Sequence, residues 1–269
     1  MNYAELLASK QRAHRAVGFE PTFTPDAAYP FQRDLIRQAT RRGRCAIFAG
    51  TGLGKTLMEL VWARNVADHS GLPVLLLTPL AVSAQTIREA GKFGISLDGI
   101  QVLNYQRLHT VDPDEFGGVV LDESSILKSF DGKFRTALID AFARTPYRLA
   151  ATATPAPNDF MELGNHAQFL GVCSYAEMLA TWFVHDGGDT SQWRLKGHAQ
   201  DAFWKWMASW AALIRSPRDL GYVIDGYDLP TLHQIQHVIP ADYEDAQRAG
   251  SLFPVEAQTL QDRRRAGRA

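Results

Sequence analysis

Cysteine is scarce: among 269 residues only Cys45 and Cys173 occur, far apart and without metal-binding or redox spacing. That scarcity argues against a disulfide-stapled scaffold or a cysteine-held metal site, and fits a reduced, cytoplasmic protein. Long apolar runs are missing too. No stretch approaches the ~20 residues of a membrane-spanning helix, and Met1 to Lys10 carries charges where a signal peptide needs an apolar core. Excess charge is also lacking: 28 Lys and Arg against 29 Asp and Glu leave a net charge of −1. No global basic field announces a nucleic-acid partner, so any such contact has to come from a local patch. There is no internal repeat and no low-complexity tract, so a repeat architecture is not indicated. What the chain does have is apolar material, 46% of its residues, enough for one large domain or two small ones.

The most informative stretch is Ala49-Gly50-Thr51-Gly52-Leu53-Gly54-Lys55-Thr56. Glycines let a loop wrap its backbone N–H groups around a phosphate, because a Cβ would block the approach. A lysine at the position of Lys55 reaches β- and γ-phosphates, and a hydroxyl at Thr56 ligates Mg²⁺. Ala49 stands where the usual G-x-x-x-x-G-K-[ST] pattern has its first glycine. Before the loop, Cys45 to Phe48 is an apolar run suited to a buried strand. After it, Leu57, Leu60 and Val61 fall at helical spacing, with Glu59 and Arg64 expected in solvent. Strand, glycine loop and helix would set a helix N-terminus on the phosphates. The bland alternative is a flexible glycine turn with a chance lysine.

Along the chain, helices are expected at 3–16, 31–41, 55–68, 81–92, 132–143 and 158–169. Strands are expected at 45–49, 74–78, 100–104, 118–122 and 147–152, the last two reading Gly-Val-Val-Leu-Asp and Tyr-Arg-Leu-Ala-Ala-Thr. Apolar strands alternating with amphipathic helices indicate an α/β fold with a parallel sheet covered on both faces. Chemistry in such sheets collects at the carboxyl ends of the strands. The glycine loop, Thr78-Pro79, Asp122-Glu123 and Thr152-Ala153-Thr154 all follow strand candidates. Residues 171–215 read as helical in tendency and hold Trp182, Trp193, Trp204, Trp206 and Trp210, which are expected in a core rather than under stacked bases. Residues 228–239 could form one further strand, and the tail from Ala257 ends in a basic run expected to be solvated.

Holding a nucleotide is not hydrolysing it. Asp122 supplies a carboxylate for a metal shell, and Glu123 one that can polarise an attacking water. The competing reading is an acidic turn that caps the next helix. Thr152 and Thr154, after the next strand, offer hydroxyls that could bond those carboxylates and relay loss of the γ-phosphate.

Taken in order, these segments resemble the first RecA-like lobe of a superfamily 2 helicase, a P-loop NTPase, and within that group the Snf2-type ATPases of the wider DEAD/DEAH-box class. Gln32, in Tyr29-Pro30-Phe31-Gln32, matches the upstream glutamine that reads adenine in that family. Gly50, Thr51, Gly52, Gly54, Lys55 and Thr56 match motif I, and Leu77-Thr78-Pro79 matches motif Ia. Asn104-Tyr105-Gln106 is similar to the segment after it. Asp122-Glu123-Ser124-Ser125 matches motif II, with Ser125 where the family carries histidine or aspartate. Ile126 to Ser129 continues it. Thr152 to Pro155 with Asn158 and Glu162-Leu163 resembles motif III, and Ile214 to Pro217 with Leu229-Pro230 resembles the exit from the lobe.

The resemblance implies an ATP hydrolase, a helicase or translocase, that uses Mg²⁺ and acts on nucleic acid, with double-stranded DNA expected and no base-edge reading. Lys55, Asp122 and Glu123 would be catalytic. Thr56 and Asp122 would hold the metal. Thr78, Pro79, Ser83, Arg88 and Lys128 would be candidates for phosphate contacts, with Lys92 and Lys133 behind them, whereas Arg41, Arg42 and Arg44 lie at the opposite end. The organisation expected is a lead-in at 1–29, the ATP-binding lobe at 30–170, a Trp-rich extension with an exit strand at 171–240 and a linker at 241–269. The second RecA-like lobe, with its arginine finger, is not in this sequence and would be a partner. Alone, the lobe is expected to turn over slowly. Short spacers between motifs suit a bacterial or phage-like version. The alternatives are another P-loop NTPase, or a module that binds nucleotide or a partner without turnover.

Overall fold

The computed structural model describes residues 16–129, 132–186, 189–227 and 233–235. Its compact body runs through Tyr227, and the expected helix at 3–16 and strand at 228–239 lie outside the described residues except at residue 16 and at 233–235, which have no regular structure.

Pro30 opens helix α1 (Pro30–Arg42), its fixed φ suited to a first helical turn. Gly43, at φ 72°, closes it by donating its N–H to Ala39 O. Strand β1 (Arg44–Ala49) follows, then α2 (Lys55–Ser70), β2 (Val74–Thr78), α3 (Ser83–Lys92), β3 (Ile100–Asn104) and β4 (Gly118–Asp122). Two short helices, α4 (Ile126–Ser129) and α5 (Gly132–Ala141), lead to β5 (Tyr147–Thr152). Beyond it come α6 (Leu163–Phe169), α7 (Tyr175–Trp182), a hairpin of β6 (Phe183–Asp186) and β7 (Asp189–Leu195), α8 (Gln200–Trp210) and β8 (Ala211–Ile214).

Six strands form one parallel sheet in the order β3-β2-β4-β5-β1-β8. Strand side chains alternate between two cores, as the pleat requires. Cys45, Ile47 and Ala49 of β1 join α1 and α2 on one face. Ala46 and Phe48 join α6 to α8 on the other. This is the α/β fold that the alternation of apolar strands and helices indicates.

Two parts differ from the sequence reading. Residues 171–215 are not uniformly helical: they contain the β6–β7 hairpin and the sixth sheet strand, β8, which pairs in parallel with β1. The tryptophans of this region pack inward, with Trp182 and Trp210 buried and Trp206 between them, its ring centroid 5.3 Å from that of Trp210. The second difference is Glu59, which spacing assigned to solvent. Helix α2 is buried on almost every side, from Leu57 through Ala67, and Glu59 goes inward with it, fully buried. Its neighbour Arg64 stays partly exposed and pairs with Asp68. Among the described residues, no helix is long and apolar enough to cross a membrane.

Candidate functional site

The glycine loop leaves the carboxyl end of β1 and runs into α2. Gly50 N donates to Ile214 O at 3.0 Å, which ties the start of the loop to the end of β8. Gly52 (φ 85°) and Gly54 (φ 77°) take left-handed backbone that an L side chain adopts only under strain. Lys55 Nζ lies back over the loop, donating to Ala49 O at 3.0 Å and Gly50 O at 3.3 Å. Those carbonyls hold the ammonium where an anion on the loop would meet it. Thr56 sits half-buried in the first turn of α2, whose free N–H groups carry the positive end of the helix dipole.

Gln32 reaches the loop from α1. Its Nε2 donates to Leu53 O at 2.9 Å, and its Oε1 accepts from Tyr29 N at 2.9 Å. The glutamine thus fastens the first turn of α1 to the glycine loop. A methyl group at Gly54 would stand 2.4 Å from Gln32 Nε2, so the end of the glutamine side chain would have to move to admit it.

Across the sheet, β4 ends at Asp122. The next residue, Glu123, has φ 53°, the one left-handed non-glycine among the described residues. Strain of that kind costs on the order of 1–3 kcal/mol and persists where surrounding bonds impose it. Here those bonds are visible. Thr152 Oγ1 donates to Glu123 Oε1 at 2.7 Å, Ser125 Oγ donates to the same oxygen, and Ser124 N donates to Ala151 O at 2.8 Å. Ser125 therefore meets the glutamate directly, while Thr152 and the Ser124 N–Ala151 O bond make the link to β5. Thr154 N in turn donates to Thr152 Oγ1 at 3.1 Å.

The carboxylates share a crowded pocket. Burial, reinforced by Glu123, pushes the Asp122 carboxyl up to about 6, against the pull of Lys55. Glu59 lies fully buried on the helix behind, with neither oxygen hydrogen-bonded among the described residues. Burial first, and the charge of Asp122 next, push its carboxyl well above the ordinary range. A cluster of negative charge beside one lysine is a place where a cation on Thr56 and Asp122 would relieve repulsion, and both are hard oxygen donors of the kind Mg²⁺ takes.

The chain is similar in structure to two forms of one archaeal protein. One is the Sulfolobus solfataricus SWI2/SNF2 ATPase core in complex with dsDNA, at a TM-score of 0.58 and 20% identity, over 73% of this chain and 46% of that one. The other is the SWI2/SNF2 ATPase core domain from the same organism, at 0.57 and 20%, over 74% and 46%. The fold is RecA-like: a parallel sheet with helices on both faces. The chain spans under half the length of the cores it matches. No family model and no curated protein matches its sequence.

Within this RecA-like fold, three residues have placements that go beyond the sequence reading. Tyr105 OH donates to Asp122 O at 2.7 Å, bracing the end of β4 from below. His166 Nε2 lies 3.1 Å from Ser124 Oγ, which ties α6 to the turn after β4. Glu59 is the third. Tyr105 had a sequence signal, the similarity of Asn104-Tyr105-Gln106 to the segment after motif Ia. The residues expected to touch nucleic acid differ in exposure. Thr78 is fully buried, its hydroxyl 2.6 Å from that of Ser83. Pro79 and Ser83 are half-buried, Arg88, Lys92 and Lys133 are exposed, and the side chain of Lys128 lies outside the described residues. Beside the glycine loop of the lobe opens a cavity of about 570 Å³, walled by Thr154, Pro155, Phe160, Trp204, Leu213 and Arg215 among others.

Proposed function

We propose that this chain is the nucleotide-binding lobe of a nucleic-acid-dependent ATPase, binding ATP with Mg²⁺. The observation that carries the reading is the convergence of three strand ends. The loop after β1 presents Lys55, the end of β4 presents Asp122 and strained Glu123, and the end of β5 presents Thr152 bonded to that glutamate. No simpler role for a left-handed glutamate held by two hydroxyls is evident in the packing.

In this reading, backbone N–H groups from Gly50 to Thr56 cradle the phosphates and Lys55 leaves the loop carbonyls for the β- and γ-phosphate oxygens. Thr56 and Asp122 would hold Mg²⁺, which when bound neutralises charge on the phosphates. Glu123, with Oε1 fixed by Ser125 and Thr152, would accept the proton of a water whose oxygen attacks the γ-phosphorus. The bond from that phosphorus to the bridging oxygen breaks, giving ADP and inorganic phosphate. Thr152 and Thr154 then stand where departure of phosphate is felt by the loop after β5. Double-stranded DNA is the proposed partner, since the Snf2 core with the same fold is in complex with dsDNA. Exposed Arg88 and Lys92 on α3 would contribute contacts independent of sequence. A second RecA-like lobe is proposed to complete the catalytic site, and turnover by this chain alone is expected to be slow.

A Mg-ATP titration of the chain beside its Lys55→Ala variant tests the reading. Saturable binding that the variant loses supports it. Equal behaviour of the two would remove the glycine loop as the nucleotide site.

A further inference from the structure

The cavity beside the glycine loop holds about 570 Å³, within the range of small-molecule pockets. Lys55, Thr56, Asp122 and Glu123 are not in its walls, which are mostly apolar. Phe160 is 43% exposed, and Leu213 on β8 is 50% exposed. Single exposed apolar side chains are ordinary, but two that flank one hollow mark a contact surface. Phe160 meets Trp204 of α8 edge-on, with ring centroids 5.1 Å apart. Two rings at right angles offer a third ring both a face and an edge.

Arg215 is the one charged residue in the wall. Its backbone is held in place, since Arg215 N and Ser216 N both donate to Asp219 Oδ2, at 2.6 and 3.1 Å. Its side chain is exposed, and among the described residues the guanidinium makes no hydrogen bond. Asp219 feels that charge through space, but its carboxylate is taken up first by the two amides. An apolar hollow with a cation at its mouth suits a molecule that is aromatic at one end and anionic at the other. A guanidinium fork matches the paired oxygens of a carboxylate or sulfonate.

We propose that this cavity binds a small aromatic anion, its ring against Phe160, Trp204 and Leu213 and its acidic group on Arg215, and that its occupancy is linked to the nucleotide site. The link lies in the walls, where Gly50 stands on one side and Thr154 on another. Gly50 O accepts from Lys55 Nζ at 3.3 Å, and Thr154 N donates to the Thr152 hydroxyl that holds Glu123. A Cβ at Gly50 would stand 3.0 Å from Arg215 O, so the loop and the mouth of the cavity touch. An occupant that fixes these walls changes the energy of moving the loop, and by reciprocity a nucleotide changes the affinity for the occupant. The binding site stands apart from the proposed function; the link rests on it.

The test titrates the full chain with 1-anilinonaphthalene-8-sulfonate, an aromatic probe with one sulfonate whose emission rises in apolar surroundings. The expected result is saturable one-to-one binding tighter than about 100 μM. This first measurement needs no variant to fold. Arg215→Glu should weaken binding by about fivefold or more, with Arg215→Lys restoring it. The same Glu variant should leave N-phenyl-1-naphthylamine, the same rings without the sulfonate, within about twofold of the parent. Leu213→Glu should weaken both probes. No saturable binding, or binding that neither Arg215→Glu nor Leu213→Glu alters, would overturn the site. Equal weakening of both probes by Arg215→Glu would overturn the choice of an anion. Saturating Mg-ATP should shift the constant for the sulfonate by about threefold or more, and no shift with Mg-ATP bound would overturn the link. Probe binding without any binding of Mg-ATP removes the proposed function and the link and keeps the site. Mg-ATP binding without probe binding removes this inference alone.

Discussion

Thr152 ends β5 and Glu123 directly follows neighbouring β4, and the threonine hydroxyl donates to Glu123 Oε1 at 2.7 Å while accepting from Thr154 N at 3.1 Å. One hydroxyl therefore fixes the carboxylate of a strained residue and the backbone that follows β5. Thr152→Val should remove both bonds and destabilise the chain by about 1–3 kcal/mol, since two hydrogen bonds are lost while shape is otherwise kept. Thr152→Ser should recover most of that loss. Urea unfolding of the three proteins measures it, and a valine variant as stable as the parent would show that Glu123 is held by other means.

The two left-handed glycines of the loop should respond differently to alanine. At Gly52 the space around a new Cβ is open and only backbone strain opposes it, costing about 1 kcal/mol. At Gly54 the same strain is joined by a collision with Gln32 Nε2. Gly54→Ala should therefore displace the glutamine and abolish nucleotide binding, whereas Gly52→Ala should weaken binding without abolishing it. Equal losses in a binding titration would mean that the Gln32 strut does not shape the loop.

Stability should fall with rising pH because of two buried carboxyls. Asp122 is pushed up to about 6 and Glu59 well above the ordinary carboxylate range, both mainly by burial. A raised carboxyl binds its proton more tightly in the folded chain than in the unfolded one. Its stabilisation is full below the ordinary carboxylate range and is lost as pH climbs through the folded value. For Asp122 that amounts to on the order of 3 kcal/mol. Glu59→Gln should unfold later than the parent, by a margin that widens from pH 5 to pH 8, in EDTA and without nucleotide. A margin that stays constant or shrinks across that range would place a charged, satisfied carboxylate at Glu59.

Trp210→Ala should cost about 3–5 kcal/mol. The side chain is fully buried at the junction of α8 and β8, edge-on to Phe48 of β1 at 6.1 Å. The melting temperature measures this, and a loss below about 1 kcal/mol would mean that β8 does not depend on that packing.

Five of the six sheet strands were legible because each is a compact apolar run followed by polar residues, and buried parallel strands read that way. The sixth was not. Ala211 to Ile214 is four residues long and follows directly on a helix rich in tryptophan, so its apolar character merges with the helical pattern. The glycine loop and the Asp122–Glu123 pair were legible because local spacing defines them. Glu59 was not, because helical periodicity supposes a wet face and α2 has almost none. Nor could spacing show the bonds from Tyr105 to Asp122 O or between Ser124 and His166, which the fold makes by bringing distant segments together.

The hydrogen bond from Gly50 N to Ile214 O joins the first part of the glycine loop to the last strand of the sheet. During synthesis the loop emerges early, yet the neighbour that fastens it emerges only after most of the lobe has been made. Until β8 takes its place at the edge, β1 is itself the border of the sheet and its loop hangs from one side only. A nascent chain would thus carry the residues proposed to bind phosphate long before it could hold them in shape, and ligand affinity would arrive late, as a sign that the whole sheet has closed.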